Sequence, residues 1–118
     1  MTRSEARAAL TRAKARLDQL ALYERPVRLD DVRVVCAAWL FRLPWFRRFD
    51  GYTMWNLILL RSPELAWDDE LICHELCHVW QMQHRPLAMP LSYVSRGYVR
   101  NPYELEAEGA VERTRPVR

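Results

Sequence analysis

Apolar residues recur at helical spacing near the start of the chain. They lie three or four positions apart, with basic residues between them: Leu10, Ala13, Leu17 and Leu20. This period predicts an amphipathic helix that runs to about Tyr23. Thr2-Arg3-Ser4-Glu5 has the form of a capping box, in which Thr2 covers the amide of Glu5 and Glu5 reaches back. We therefore expect the helix to begin there.

Two stretches after Pro26 have the composition of strands. Val32-Arg33-Val34-Val35 is β-branched, and the apolar run from Tyr52 to Leu60 follows the turn signal Asp50-Gly51. We interpret the second run as one strand antiparallel to the first. Because its apolar residues would occupy both faces, helices should cover one side and the other should lie near a cleft.

The run from Trp67 to Met82 is apolar and lacks turn residues, which predicts a helix capped by Asp68 or Asp69 and ending near Arg85-Pro86. At 100° per residue from Cys73, the apolar side chains span an arc from about 240° through 0° to about 40°; they are Ile72, Cys73, Leu76, Cys77, Val79 and Trp80. His74, Glu75 and His78 fall between about 100° and about 200°. One face therefore suits a core, and the other carries the titratable groups.

Asn101-Pro102 is a helix start, with the asparagine at the cap and the proline in the first turn, and the helix should reach Glu112. The basic tail from Arg113 to Arg118 should fray. The stretch between the two later helices has mixed spacing and is not assigned. These elements predict an α+β fold with an N-terminal helix, a short antiparallel sheet and two further helices. At 118 residues the chain suits a single domain, 1–118, around one core.

Composition narrows the class of protein. Hydrophobic residues make up 50% of the chain and charged residues 28%, which is typical of a folded protein rather than a disordered one. The longest apolar stretches are far short of the ~20 residues that span a bilayer, so no membrane span is expected. The first residues lack the apolar segment of a secretory signal, and we expect a cytoplasmic protein.

The net charge is +3, and every basic residue except Lys14 is arginine. Because 15 acidic residues are interleaved with the arginines, the charge does not favour nucleic acid as a partner. One local cluster, Leu43 to Phe49, is both basic and aromatic, as a nucleic-acid or membrane-surface patch would be. We favour the simpler interpretation of a loop whose aromatic rings pack down while its arginines are solvated.

The chemistry is concentrated in His74-Glu75-Leu76-Cys77-His78, an H-E-x-x-H sequence. Residues four apart stack on one face of a helix, so both imidazoles can bind one metal ion. Catalytic zinc takes three protein ligands and keeps a water in its open position. Glu75 would lie beside the metal, where its carboxylate can accept a proton from that water. The motif therefore predicts His74 and His78 as zinc ligands and Glu75 as the catalytic base.

Several residues compete to complete the site. His84 has the spacing of the third metzincin ligand, but Gln81 stands where that family has glycine, and an unbroken helix would carry His84 about 9 Å along the axis. Cys73 and Cys77 could form a Cys2His2 structural site, although they lie toward the apolar face and free thiols fit better. Glu104 is favoured as the third ligand. Glu108, one turn later, would then accept a hydrogen bond from a ligating histidine, His74 being the first choice.

The two motifs together resemble those of a known group. His74 to Gln81, followed by Asn101 to Glu108, is similar to the gluzincins, in particular small bacterial zincin-like proteins with H-E-L-x-H-V-x-Q and N-P-x-E-x-E-A. The CAAX-prenyl protease group is similar only in its E-x-x-A-D motif, where this chain has Glu108. The resemblance implies a minimal zincin-like fold, zinc ligands at His74, His78 and Glu104, and Glu75 as the general base.

The expected function is zinc-dependent peptide hydrolysis, in which Glu75 assists the attack of a zinc-bound water on a peptide or protein substrate. The oxyanion donor would come from Tyr93, Tyr98, Tyr103 or Arg100. The alternative is a non-catalytic protein of zincin fold, with a structural zinc, that binds a partner protein or forms a homo-oligomer. The small size makes this alternative serious, because little protein is left to line a specificity pocket.

Overall fold

The computed structural model describes residues 1–116 and shows an α+β protein, as expected. Within these residues four α-helices accompany three short strands. In chain order the elements are α1 (Arg3–Leu17), β1 (Arg33–Cys36), β2 (Gly51–Met54), β3 (Leu57–Leu60), α2 (Asp69–His84), α3 (Ala88–Arg96) and α4 (Pro102–Arg113), with single turns of 3-10 helix at Leu40–Arg42 and Pro63–Trp67. None of the helices within residues 1–116 has the length and hydropathy that a bilayer crossing requires.

Helix caps lie where the sequence places them. The Thr2 hydroxyl accepts from the Glu5 amide and the Glu5 carboxylate accepts from the Thr2 amide, which confirms the capping box. Asp68 caps α2, and Asn101 caps α4 ahead of Pro102. The first helix ends earlier than expected, at Leu17, and the apolar residues that follow it pack against the core from an irregular segment.

The prediction of an antiparallel sheet is wrong in one pairing. The run from Tyr52 to Leu60 forms two strands, β2 and β3, joined by a tight turn at Trp55-Asn56 in which Trp55 has a φ of 51°. The strand order is β1-β3-β2, with β3 antiparallel to β2 but parallel to β1, so the sheet is mixed. Asn56 is the only turn-favouring residue at this turn, which contains neither glycine nor proline, so the marker in the sequence was weak.

Both faces of the central strand β3 are covered, whereas the sequence predicted helices on one face and a cleft near the other. Ile58 and Leu60 face the helices and join the main core, which is built around the apolar sides of α1, α2 and α4. Leu57 and Leu59 face the other way, where residues 37–49 cover them through Phe41 and Phe46. The second face therefore carries a small apolar cluster and not the expected cleft. The cleft lies at the outer edge of β2.

The structure also assigns the segments that the sequence left open or predicted to fray. Residues 88–96 form α3, which tolerates Pro90 in its first turn, where the backbone amide has no helical partner. Thr114 is buried, and the Arg115 guanidinium donates to both carboxylate oxygens of Glu70 at 2.7 and 2.9 Å, so this part of the tail is held. Val117 and Arg118 lie outside the described residues.

The packing of α1 against the core generates a stability prediction. Leu10 is fully buried in the main core, and we expect Leu10→Ala to lower the free energy of unfolding by about 2–5 kcal/mol, because it removes apolar contact and leaves a cavity. Leu105→Ala is the matched control, because Leu105 is half exposed on α4 and its loss should stay within about 0.5 kcal/mol. Urea unfolding measures both changes. Equal losses would contradict the described packing of α1.

Candidate metal centre

Helix α2 presents its titratable face to the cleft at the edge of β2. The apolar side chains of α2 are buried in the core, as their arc on the helix predicts. His74, Glu75 and His78 lie on the other side, at the cleft or beside it. Asp68 fixes where the helix begins by accepting from the Leu71 amide at 3.1 Å. The cap therefore sets the position of the H-E-x-x-H residues along the helix axis.

Glu104, in the first turn of α4, meets both histidines. Its Oε1 lies 2.7 Å from the Nε2 of His74, and its Oε2 lies 3.1 Å from the Nε2 of His78. The two histidine Nε2 atoms are 3.1 Å apart. All three ligand atoms thus lie within 4.8 Å of one another, and the three residues predicted as ligands form one cluster that could hold a metal ion.

Two tyrosines from the α3 region also reach Glu104. The Tyr93 hydroxyl donates to Oε2 at 2.8 Å, and the Tyr98 hydroxyl donates to Oε1 at 2.9 Å. Glu104 is buried, so these bonds supply the partners that a carboxylate requires away from water. The sequence singled out Tyr93 and Tyr98 only as possible oxyanion donors. Their contact with Glu104 depends on the fold of residues 88–100, which had no clear pattern.

The far nitrogen of His78 is held by Gln81. The Nδ1 atom lies 2.7 Å from the side-chain Oε1 of Gln81, and the side-chain Nε2 of Gln81 donates to the backbone carbonyl of Tyr103 at 2.8 Å and to the Glu106 carboxylate at 3.0 Å. The Tyr23 hydroxyl donates to the same carboxylate at 2.6 Å. Because Gln81 accepts from Nδ1–H, Nε2 is the nitrogen of His78 that is turned toward Glu104 and His74, and it carries the lone pair whenever the ring is neutral.

This network corrects the prediction for Glu108. Glu108 is exposed on the cleft wall, and no hydrogen bond joins it to His74 in the described part of the chain. Glu108 was expected to accept a hydrogen bond from a ligating histidine. Gln81 is the acceptor instead, and its partner is His78 rather than His74. Gln81 lies three residues after His78, which puts the two side chains on one helix face. That spacing was a signal in the sequence that could have identified it.

Glu75 lies beside the cluster in a tight setting. Its side chain is buried, and the Thr53 hydroxyl lies 3.0 Å from its Oε1 and 3.1 Å from its carbonyl oxygen. A Cβ on Gly51 would lie 3.2 Å from the Cγ of Glu75 and 3.3 Å from a methyl of Leu71. The absence of a side chain at Gly51 therefore lets β2 approach α2 closely and confines Glu75.

The electrostatics of the cluster favour ionised forms at Glu104 and His78. Burial raises the pKa of Glu104, but the hydrogen bonds from His74 and His78 outweigh it and hold that pKa far below its usual range. Burial lowers the pKa of His78, but the bond to Glu104 and the nearby carboxylate of Glu75 raise it by more. The pKa of His78 therefore lies above its usual value. At Glu75 burial dominates and raises the pKa, against the opposing effect of the two histidines and Thr53.

An open cleft of about 500 Å³ leads to the cluster and is predominantly acidic. His74, Glu75, Tyr98 and Glu104 lie in its wall. Further carboxylates line it: Asp50, Asp68, Glu70, Glu108 and Glu112. Arg115 also lies in the wall, where it is paired with Glu70. A cation entering the cleft would therefore meet a negative potential.

The other residues considered as ligands lie elsewhere. Because α2 continues unbroken to His84, this imidazole points away from the cluster. Its Nδ1 lies 3.2 Å from the Trp80 carbonyl oxygen, and its ring stacks on Tyr23 with a centroid distance of 5.0 Å. Cys73 and Cys77 are buried free thiols, outside the ligand cluster. Burial raises the pKa of the Cys77 thiol, which disfavours the thiolate that a metal requires.

The donor set limits the kind of ion that fits. Two imidazole nitrogens and one carboxylate oxygen suit a borderline divalent transition metal, whereas magnesium and calcium prefer oxygen ligands. The three donors come from two segments held by separate hydrogen bonds, through Gln81 behind His78 and through Tyr93 and Tyr98 behind Glu104. The cluster is therefore preorganised for one ion, with the cleft on its open side.

Comparisons of the chain with protein-family models, with curated proteins and with solved structures found no match. The resemblance to the gluzincins therefore depends on the two motifs of this chain alone.

The cluster predicts which side chains retain a metal. Elemental analysis after dialysis should find about one equivalent of transition metal in the wild type and in His84→Ala, since three protein ligands suffice for one ion and His84 is not among them. His78→Ala and Glu104→Ala should lose the metal, because each removes a ligand. The affinity should fall by more than the roughly 10–100-fold that is typical when a residue hydrogen-bonded to a ligand is replaced. Retention by Glu104→Ala together with loss by His84→Ala would overturn this ligand set.

The hydrogen bond behind His78 predicts a graded effect. Gln81→Met keeps the length of the side chain but removes the acceptor for Nδ1–H, so metal affinity should fall by about 10–100-fold. Gln83→Met is the matched control, since Gln83 bonds only to the backbone of Arg28 at the surface. Competition with a metal-binding dye measures both affinities. A similar affinity for the two variants would remove Gln81 from the site.

Proposed function

We propose that this protein is a zinc-dependent metallopeptidase of gluzincin type that hydrolyses peptide bonds. One observation carries the proposal: His74 and His78 on α2 and Glu104 on α4 converge in a cleft whose wall also contains the buried carboxylate of Glu75. Two histidines, one glutamate and an adjacent second glutamate are the side chains that metal-assisted peptide hydrolysis requires.

Zinc would be held by His74, His78 and Glu104. When bound, it supplies a Lewis acid that polarises the scissile carbonyl and lowers the pKa of the attacking water, so that this water can lose a proton at neutral pH. A structural zinc site uses four protein ligands, whereas this cluster contributes three and faces an open cleft. That difference favours a catalytic site over the structural site of the alternative function.

Glu75 would act as the general base and then the general acid. Its carboxylate takes a proton from the attacking water and returns that proton to the leaving amine. Thr53 holds the carboxylate by its hydroxyl, and the close approach of β2 at Gly51 restricts where it can move. Such confinement keeps the proton acceptor at one position next to the reacting atoms.

The outer edge of β2 would bind the substrate backbone. β2 pairs with β3 on one side and is the last strand of the sheet on the other, and Gly51, Tyr52 and Thr53 lie beside Glu75 and His78. An extended peptide can add to such an edge by main-chain hydrogen bonds. This mode of binding needs little protein beyond the strand itself, which suits a chain of 118 residues.

Tyr93 and Tyr98 have a positioning role before any other. Each hydroxyl already donates to Glu104 and fixes the carboxylate against the histidines. Either tyrosine would have to release Glu104 before it could donate to a substrate oxyanion. Tyr103 and Arg100 line neither the cleft nor the smaller pocket beside Glu75 and His78, so neither is favoured as the donor.

The role of Glu75 generates a test that separates metal binding from catalysis. Glu75→Gln should retain metal but lower the rate of peptide cleavage by at least about 10²-fold, because the amide cannot accept the proton. Glu108→Gln is the matched control, since Glu108 lies exposed in the same cleft and makes no bond to the ligands in the described residues. Cleavage of a peptide library, read by mass spectrometry, and metal content give the two measurements.

Two outcomes would contradict the proposal. Metal-loaded wild type that cleaves no member of the library would favour the non-catalytic protein with a structural zinc. Equal loss of cleavage in the Glu75 and Glu108 variants would remove Glu75 from the catalytic role.

A further inference from the structure

Two segments of the chain carry arginines and no acidic residue. Residues 32–49 contain four arginines and residues 85–101 contain three, while all 15 aspartates and glutamates lie outside both segments. Residues 6–17 also lack acidic residues, but there Arg12 and Lys14 pair with the carboxylates of Asp69 and Asp18. Each of the two segments also exposes large apolar side chains.

Helix α3 is apolar on two opposite sides. Met89 is buried and Tyr93 faces Glu104, so these two side chains define its inner face. Leu87, Leu91 and Val94 follow at spacings of four and three, within an arc of about 60° on the other side. Their exposed fractions are 72%, 61% and 84%. This stripe faces away from the metal centre.

The first segment exposes tryptophans. Phe46, in the cluster from Leu43 to Phe49, packs under the sheet beside Phe41, as expected of a loop whose aromatic rings face inward. Trp45 of the same cluster does not follow that expectation, because 82% of its surface is exposed, and Trp39, which precedes the cluster, is 67% exposed. Indole rings favour the boundary between water and lipid, where their apolar and polar parts are both satisfied.

The two segments meet at Tyr98. The guanidinium of Arg48 lies 4.9 Å from the ring centroid of Phe49 and 4.9 Å from that of Tyr98, and the two rings are 4.9 Å apart. This contact joins the loop that bears Trp45 to the segment that follows α3. We call the exposed side chains of residues 32–49 and 85–101 together the arginine-rich surface.

We propose that the arginine-rich surface docks on a bilayer that contains anionic lipid, without crossing it. Leu91, Val94 and Trp45 would enter the headgroup region, while arginines such as Arg47 and Arg96 contact the phosphates. Arginine suits this position because its aliphatic stem lies along apolar surface while the guanidinium stays with polar groups.

The charge pattern selects this partner over two others. A second copy of the same surface would bring arginines against arginines with no carboxylate to meet them, which opposes self-association. A nucleic acid would attract the arginines but would leave the aliphatic stripe of α3 without an apolar partner. A bilayer with anionic headgroups matches both the charge and the exposed apolar side chains.

Co-sedimentation with lipid vesicles tests the proposal with the chain as it stands. We expect binding to vesicles with about one third phosphatidylserine in phosphatidylcholine, weaker binding in high salt, and little binding to phosphatidylcholine alone. The double variant Leu91→Ser with Val94→Ser should lower partitioning by about tenfold or more, because two exposed aliphatic side chains are lost. Leu105→Ser, at an exposed position on α4, should leave it unchanged.

A second pair of variants tests the charge. Arg47→Gln with Arg96→Gln should lower partitioning by about fivefold per arginine, whereas Arg3→Gln with Arg25→Gln, exposed outside the surface, should have a much smaller effect. Circular dichroism and thermal unfolding check that each variant is folded. The proposal is overturned if the wild-type protein does not bind phosphatidylserine vesicles, or if the control variants lose as much partitioning as the test variants. It is also overturned if the Leu91 and Val94 stripe drives dimerisation or nucleic-acid binding instead.

Discussion

The buried carboxylate of Glu104 is the interaction on which the arrangement of the site depends. A carboxylate removed from water is strongly destabilising unless it is hydrogen-bonded and its charge is compensated. Glu104 meets this requirement with two imidazoles from α2 and two hydroxyls from the α3 region. One side chain thereby ties three helices together, and the same compensation can come from a divalent cation held by the same oxygens and nitrogens.

The network behind His78 complements that contact from the opposite side. Gln81 spans the interface between α2 and α4, and its amide group is fully used by His78, the Tyr103 carbonyl and Glu106. Tyr23 extends the network to the segment after α1. Because every polar group in it has a partner, the network can fix the imidazole without leaving an unsatisfied buried atom. The ligands are thus positioned both from within the cluster and from behind it.

The parts of the site that the sequence predicted are those set by local geometry. Helical period fixes His74 and His78 on one face, and the caps at Asp68 and Asn101 fix where each helix begins, so the α2 and α4 elements could be predicted closely. The choice of Glu104 over His84 also followed from local geometry, because an unbroken helix carries His84 away. What the sequence could not supply was the pairing of the strands and the contacts that surround the predicted ligands. The parallel pairing of β1 with β3 is one example, since nothing in either strand specifies its neighbour.

The wrong prediction of Glu108, in place of Gln81, as the acceptor for a histidine also arises from packing between distant segments. A motif gives the spacing of residues along α4, but the face that α4 turns to α2 depends on packing by Ala107 and Ala110 in the core. With those alanines inward, Glu104 reaches the histidines from the first turn, while Glu108 one turn later is left on the cleft wall. Gln81 belongs to the helix of His78 itself, so its position did not depend on that packing.

The net charge of +3 conceals a separation of charge on either side of Tyr98. Tyr98 lies in the wall of the acidic cleft and also beneath the guanidinium of Arg48. The carboxylates of the cleft would favour a bound cation, and the positive charge of Arg115 in its wall is offset by the bonds that it donates to Glu70. Arg48 illustrates the arrangement, because it contacts the outer side of a tyrosine whose hydroxyl holds Glu104. The same ring thus lies between the carboxylate of Glu104 and one guanidinium of the arginine-rich surface.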